Sequence, residues 1–335
     1  MPHGDNSAPR KRVGLLGIGQ AGLQHARAVA ACGHLVASAA ASGTTSPRLE
    51  AFRRAAPDAK IVIGIDALLA DDSLDAIIAA LPWDVGPRHL DDLLRHPKPV
   101  LLEKPIALDA ASIARALCAP GAKSKNKMVG FNRRFYGTSA RMRARLAEGG
   151  LKAVRVTISE DLTRQERAHG AAVLGHLMAF SSSHALDLVR HLLGELKIVR
   201  LYGHAERDVP FLSINGLLET RDGVPVLLTL NASDPSPAGI SFVFADRTTW
   251  NLSPLEMLAV FDRYEVVELR PGSQIRRYMP HLRDMHDETA DFKPGFVQQM
   301  AAFLAGDFGP GATPEDALAV QTMIEAMARA AHPGA

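Results

Sequence analysis

The sequence predicts an α/β chain in two domains: a doubly wound parallel sheet first, then an α+β domain around a mainly antiparallel sheet. Three observations predict it. At 335 residues the chain exceeds what one hydrophobic core usually organises. From Arg12 to about Lys104, short apolar runs alternate with helical patterns. Near residue 150 the pattern changes to the period of two expected of half-buried strands.

The elements follow in order. Residues 13–16, 24–31 and 35–37 read as a βαβ unit. Helices follow at 48–55, 65–70, 87–95 and 110–117, between strands at 61–63, 76–80, 100–102 and 128–130. Strands this uniformly apolar belong to a sheet covered on both faces. In the second domain, strands are predicted at 153–159, 198–204, 211–219, 224–231, 241–244 and 257–268, and helices at 183–193, 294–305 and 314–330. Thr313-Pro314-Glu315-Asp316 supplies the last helix with an N-cap, a first-position proline and acids in its first turn. The resulting domains are a flexible polar leader at 1–11, a first domain at 12–135 onto which the helices at 294–331 pack back, and a second at 136–335.

Composition narrows the function classes. Hydrophobic residues make up 47% and charged residues 22%, which excludes wholesale disorder. A net charge of +2 gives no global pull toward nucleic acid or a membrane surface. No apolar run reaches the ~20 residues of a membrane span, and the leader has no signal-peptide core. Cys32 and Cys118, in no metal-ligand spacing, read as buried thiols of a cytoplasmic protein. No metal site is expected.

Gly17-Ile18-Gly19-Gln20-Ala21-Gly22 is a GxGxxG run that follows the first strand directly and opens the first helix. That context makes it the dinucleotide fingerprint of a Rossmann domain. Gly17 allows the tight turn, Gly19 the approach of backbone to the pyrophosphate and Gly22 the packing of helix on strand, while the helix N-terminus supplies N–H donors. Where an acid after the second strand would bind the ribose 2′-hydroxyl, the sequence has Ala40-Ala41-Ser42-Gly43-Thr44-Thr45-Ser46-Pro47-Arg48. Hydroxyls such as Ser42 together with Arg48 favour NADP over NAD. Leu81 and Pro82, after the fourth strand, are further cofactor-facing candidates, as is Glu103 with Lys104 after the fifth.

His25 three residues beyond Gly22, Glu103-Lys104-Pro105 and Gly130-Phe131-Asn132-Arg133-Arg134-Phe135 complete an ordered set with the glycine run. Together they resemble the glucose-fructose oxidoreductase, inositol dehydrogenase and MocA (Gfo/Idh/MocA) family over essentially the whole chain. The resemblance implies a large open sheet in the second domain, used for homodimer or homotetramer contacts and for holding a sugar-like substrate against the nicotinamide. It also implies that Lys104 is catalytic. An ammonium there can stabilise charge on a reacting oxygen and relay a proton.

The resemblance implies a second catalytic group in a histidine opening a helix, here His184. Ser182 or Ser183 is expected to cap that helix, placing the imidazole at the positive end of the dipole, and Asp187 at i+3 to fix its tautomer. One position departs from the family. Four residues before His184, where the family has an aspartate, stands Phe180, which can pack on a sugar face or the nicotinamide but exchanges no proton. His176, Tyr136, Glu160 and Asp161 are possible substitutes that spacing does not separate. Arg133 and Arg134, read as strand residues of which at most one faces the cleft, could clamp a substrate anion; Arg133 is taken as substrate-binding with Phe180 and Asp187. Segment 164–169 reads as a polar loop and 276–286 as a ligand flap.

The implied function is hydride transfer between C4 of NAD(P) and a carbon of a sugar, polyol or nucleotide-linked sugar. Two alternatives remain: a non-catalytic sensor or scaffold of the same fold, and an epimerase or glycosidase working through transient oxidation.

Overall fold

The computed structural model describes residues 9–43, 47–206, 209–268, 276–288 and 292–331, with 270, 272 and 274. The chain divides into two compact units, Met1–Phe135 with Asp291–Leu318 and Tyr136–Ala290 with Ala319–Ala335. The first eight residues of the expected leader, and Thr44 to Ser46, lie outside the described residues.

In chain order the first unit contains β1 (Arg12–Leu16), α1 (Gln20–Ala31), β2 (Leu35–Ala41), α2 (Pro47–Ala55), β3 (Lys60–Ile63), α3 (Ile65–Leu69), β4 (Ala76–Ala79), α4 (Leu90–Arg95), β5 (Val100–Leu102), α5 (Ala110–Cys118) and β6 (Lys127–Val129). The second contains α6 (Gly137–Ala147), β7 (Leu151–Ser159), α7 (Leu162–His169), α8 (Ser183–Leu193), β8 (Leu196–Glu206), β9 (Val209–Thr220), β10 (Pro225–Asn231), β11 (Gly239–Phe244), β12 (Thr249–Leu252), β13 (Met257–Glu268) and β14 (Arg276–Asp287). The first unit regains α9 (Phe296–Ala305) and the opening of α10 (Pro314–Ala331), whose remainder from Ala319 belongs to the second.

Six strands of the first unit form a parallel sheet in the order β3-β2-β1-β4-β5-β6. Successive residues point to opposite faces, so both faces are apolar. Leu15, Ile78 and Leu101 pack with Val29 of α1, Phe52 of α2 and Phe303 of α9. Leu16, Ile77 and Leu102 pack with Leu68 of α3, Leu93 of α4 and Ile113 of α5. Each of these residues, at most 2% exposed, stabilises the sheet by roughly 1.5–3 kcal/mol. Strand order reverses between β1 and β4, which opens a crevice at their carboxyl ends. The expected cap of the last helix is present: Thr313 Oγ1 accepts from Asp316 N–H (3.2 Å) and Asp316 Oδ2 from Thr313 N–H (2.9 Å).

The second unit is an eight-stranded sheet in the order β14-β13-β12-β11-β7-β10-β9-β8, antiparallel apart from the β7–β10 pair. One face is core: Val154, Val156 and Ile158 of β7 pack with Met142 of α6, Leu186 of α8 and Met327 of α10. Strand β10 alternates exposed and buried positions, leaving Leu227 on the outward face.

Several expectations are corrected. Residues 276–286 are no flap; they lie in edge strand β14, paired with β13 through its length. An edge strand needs no buried face and tolerates a proline, here Pro280, so the alternation that reveals inner strands is missing. Segment 164–169 is no loop but part of α7, which Asp161 caps by accepting from Arg164 N–H at 3.0 Å. That helix buries no residue and therefore leaves no apolar period to read. Arg133 and Arg134 are not on a strand: β6 ends at Val129 and residues Asn132–Phe135 form a 3₁₀ turn. Helix α6 and strand β12 were not expected. Cys118, at the exposed end of α5, is not buried, and Cys32 is half-buried.

Candidate functional site

The first unit presents a cradle at the carboxyl ends of β1, β4 and β5. Gly17 leaves β1 with φ at +91°, and a Cβ there would lie 2.4 Å from the Ala80 carbonyl oxygen. At Gly22 a Cβ would lie 2.1 Å from the carbonyl oxygen of Gly17, so this helix crosses its own entry loop too closely for a side chain. Packing alone thus explains both glycines. It does not explain Gly19, which has φ −71° and would meet nothing within 4 Å. What a Cβ at Gly19 would fill is open space before the N-terminus of α1, whose first N–H groups have no partner within the helix. A diphosphate seated there would receive those donors and the positive end of the helix dipole, so the residues present fit a dinucleotide.

Ile18 and Ala21 pack partly against the core under α1, while Gln20 is exposed. Ser42 is exposed just beyond β2, and Arg48 is exposed in the first turn of α2. Leu81 follows β4 and lines a small cavity with Leu102, Glu103 and Pro105; Pro82 beside it is exposed. Lys104 is half-buried and joined to Pro105 by a cis peptide bond.

Glu103 is held from three sides. Its Oε1 accepts from His25 Nε2 at 2.7 Å, its Oε2 accepts from the Lys104 N–H at 3.2 Å, and a Cβ at Gly130 would come within 3.1 Å of the carboxylate. Burial pushes the Glu103 carboxyl up. The His25 hydrogen bond and the positive charges near it, Lys104 and Lys293 included, outweigh that and hold it below the usual glutamate value. Glu103 is therefore ionised at neutral pH and can only accept, which puts the His25 proton on Nε2. His25 is 1% exposed, and its ring lies 4.9 Å from that of Phe296, with Nδ1 buried and accepting no hydrogen bond. Spacing marked His25, but nothing in the sequence tied it to an acid 78 positions away.

Arg134 is 7% exposed and paired with Asp316 at 3.1 Å, so it serves the structure rather than a ligand. Arg133 next to it is half-buried.

In the second unit, Phe180, His184 and Asp187 follow one helical path with Ser181 and Ser182. The expected serine cap is absent. A π-helical turn, Met178–Ser182, runs directly into α8, the N–H of Ser183 donating to the Met178 carbonyl. Ser182 Oγ donates to Glu160 Oε1 (2.9 Å) and Ser183 Oγ to the Ala179 carbonyl (2.7 Å). Helical backbone upstream removes His184 from the open positive end of a dipole, since that field fades within one turn. His184 is half-buried and Asp187 fully buried one turn on. The ring of Phe180 meets that of His169 edge-on at 4.7 Å, which ties it to α7. Beside it Glu160, 8% exposed, accepts from Ser181 Oγ at 2.5 Å as well as from Ser182. Among the described residues no group of three His, Cys, Asp or Glu could hold a metal ion, and no helix is long and apolar enough to cross a membrane.

Comparison with known proteins falls on the same features. Residues 11–132 match the Gfo/Idh/MocA model, an oxidoreductase family with an NAD-binding Rossmann fold. An inositol 2-dehydrogenase of Rhizobium meliloti is 31% identical over 194 residues, 55% of this chain and 55% of that protein. The match to this relative, as to the inositol 2-dehydrogenase of Acidothermus cellulolyticus, spans about half of the relative's length. Two solved structures share the fold over nearly all of both chains. A 3-ketoreductase from Actinomadura kijaniata in complex with NADP has a TM-score of 0.65 at 20% identity, covering 95% of this chain and 96% of that one. The WlbA dehydrogenase from Bordetella pertussis, in complex with NADH and UDP-GlcNAcA, has 0.69 at 17%, covering 97% and 96%.

Proposed function

We propose, because residues 11–132 match the Gfo/Idh/MocA oxidoreductase model, that this chain transfers a hydride between nicotinamide C4 of NAD(P) and a hydroxyl-bearing carbon of a sugar, polyol or nucleotide-linked sugar. The observation that carries the reading is the Lys104 ammonium following an ionised, His25-bound Glu103 at the carboxyl end of β5. The bound dinucleotide would supply the hydride acceptor or donor. Gly17 to Gly22 would seat its pyrophosphate, with Ile18, Gln20, Ala21, Leu81 and Pro82 around it and Glu103 at the nicotinamide ribose. Lys104 holds the substrate oxygen and stabilises negative charge as the C–H bond breaks. His184 takes the hydroxyl proton in the oxidative direction, with Asp187 orienting it. Arg133 and Phe180 contact the substrate.

Exposed Arg48 and the hydroxyl of Ser42, with no acid in the described part of that loop, support NADP as the preferred dinucleotide. The outward face of the eight-stranded sheet, where β13 and β14 expose Tyr264, Val266, Tyr278 and Met285, supports self-association.

The test is stoichiometric NAD(P)H formation with a panel of polyols and sugars that includes myo-inositol. Lys104→Ala should lower kcat at least about a hundredfold, within the range of a lost general acid–base group, with dinucleotide affinity retained. Unchanged turnover would place the chemistry elsewhere. Phe180, packed on His169 where the family has an acid, favours a second reading as a cofactor-binding sensor. Dinucleotide binding without turnover of any panel member would select it. Calorimetric comparison of the dinucleotides decides the NADP preference, and tighter NAD binding would overturn it.

A further inference from the structure

Glu160 follows β7, its carboxylate buried at 8% exposure and its N–H bonded to the Asn231 carbonyl. A buried carboxylate needs donors, and both oxygens have one: Ser182 Oγ on Oε1 and Ser181 Oγ on Oε2, the latter at 2.5 Å, in the range of a charge-assisted O–H···O⁻ bond. The two serines are not equivalent. Ser182 is 1% exposed and acts as a buried strut. Ser181, in the same π turn, is half-buried and so retains some accessible surface.

A hydroxyl has one proton and two lone pairs. Glu160, when ionised, accepts only, so it commits the Ser181 proton inward. What Ser181 then offers a ligand is an acceptor. Such a group receives a hydrogen bond from a neutral hydroxyl and disfavours a carboxylate or phosphate, which has no proton to give. Its neighbours suit the same ligand: Phe180 on one side is an apolar surface for a sugar ring, and His184 lies three residues along the helical path. π turns of this kind occur frequently at functional sites.

On the proposed reading above, we infer that Ser181 is a substrate-binding residue and Glu160 the positioning residue behind it, and that this subsite takes an uncharged hydroxyl of a polyol or sugar in preference to an anionic group.

The experiment compares the dinucleotide-bound protein with its Glu160→Gln, Ser181→Ala and Ser181→Thr variants and with the Glu160→Gln/Ser181→Ala double variant. Binding of myo-inositol, glucose and glucuronate is measured by calorimetry, with thermal melting run on each variant. Glu160→Gln is close in shape but can donate its amide to Ser181, which lets the serine proton point outward. It should weaken the neutral probes about tenfold, leave dinucleotide affinity unchanged and narrow the preference for glucose over glucuronate. Ser181→Ala should do the same, Ser181→Thr should restore neutral binding, and the double variant should lose no more than either single one. On any polyol turned over, the change should fall on KM rather than kcat. The inference is overturned if Glu160→Gln leaves both affinity and preference unchanged, if the two single losses add, or if affinity falls only in step with melting temperature. A parent protein that binds dinucleotide but none of the three probes overturns the polyol reading itself, and this inference with it.

Discussion

The glycine cradle allows stability and binding to be separated by single methyl groups. In Gly17→Ala the new Cβ meets a backbone oxygen at 2.4 Å in a residue whose φ is +91°. The left-handed region costs an alanine about 1–2 kcal/mol, and overpacking against an immovable neighbour adds about 1–3 kcal/mol, for a total of about 2–5 kcal/mol. That is a large part of the ~5–15 kcal/mol holding a typical domain together. In Gly19→Ala the same methyl enters a residue with φ −71° and nothing within 4 Å. Stability should therefore be unchanged or rise by up to about 1 kcal/mol, as a compatible glycine-to-alanine change stiffens the unfolded chain. The dinucleotide should respond in the opposite sense. A Cβ in the space before α1 would displace the pyrophosphate from about one backbone N–H, and a hydrogen bond to a charged group is worth about 1.5–3 kcal/mol, roughly a ten- to hundredfold loss of affinity. Urea unfolding and calorimetric titration with NADP and NAD provide the two readouts. The reasoning fails if Gly19→Ala binds both dinucleotides as the parent does, or if it unfolds as readily as Gly17→Ala.

Two further outcomes follow from the Glu103 site. His25→Ala removes the donor at 2.7 Å from a carboxylate that is only 12% exposed, and should lower unfolding free energy by about 1.5–3 kcal/mol in urea denaturation; a loss under about 0.5 kcal/mol would show that the pair is incidental. The pH dependence has a definite sign. Because folding holds the Glu103 carboxyl below its usual value of 4.5, its stabilisation is complete above that pH and is lost as pH falls through the lower folded value. Asp316 behaves alike: burial raises its carboxyl, but the Arg134 charge and the bonds from Thr313 bring it below its usual 3.8. Melting temperature should therefore fall on acidification below about pH 4.5, and less steeply in Glu103→Gln; equal slopes in variant and parent would remove Glu103 from the acid transition.

Legibility in the sequence followed burial. Strands β1, β4 and β5 were readable because both their faces are buried, and β7 and β10 because one face is. Strand β14 and helix α7 were not, because an edge strand and a helix with no buried residue carry no apolar period. The candidate site residues divide on similar lines. Gly17, Gly19, Gly22 and Lys104 sit at fixed offsets from strands, so local pattern found them. The serines before His184 looked like caps, because a serine preceding a helix is a cap in most contexts; only the tertiary fold turned Ser181 and Ser182 toward Glu160.

By itself, then, the sequence determined the parallel sheet, the glycine-rich loop after β1 and the position of Lys104. These depend on backbone geometry and on hydrophobic periodicity, both encoded within a few residues of each other. Tertiary structure alone decided which groups share a proton or a charge. His25 reaches Glu103 across 78 positions and Glu160 receives Ser181 across 21, because hydrogen bonds are fixed by distances of about 3 Å in space, which no local pattern specifies.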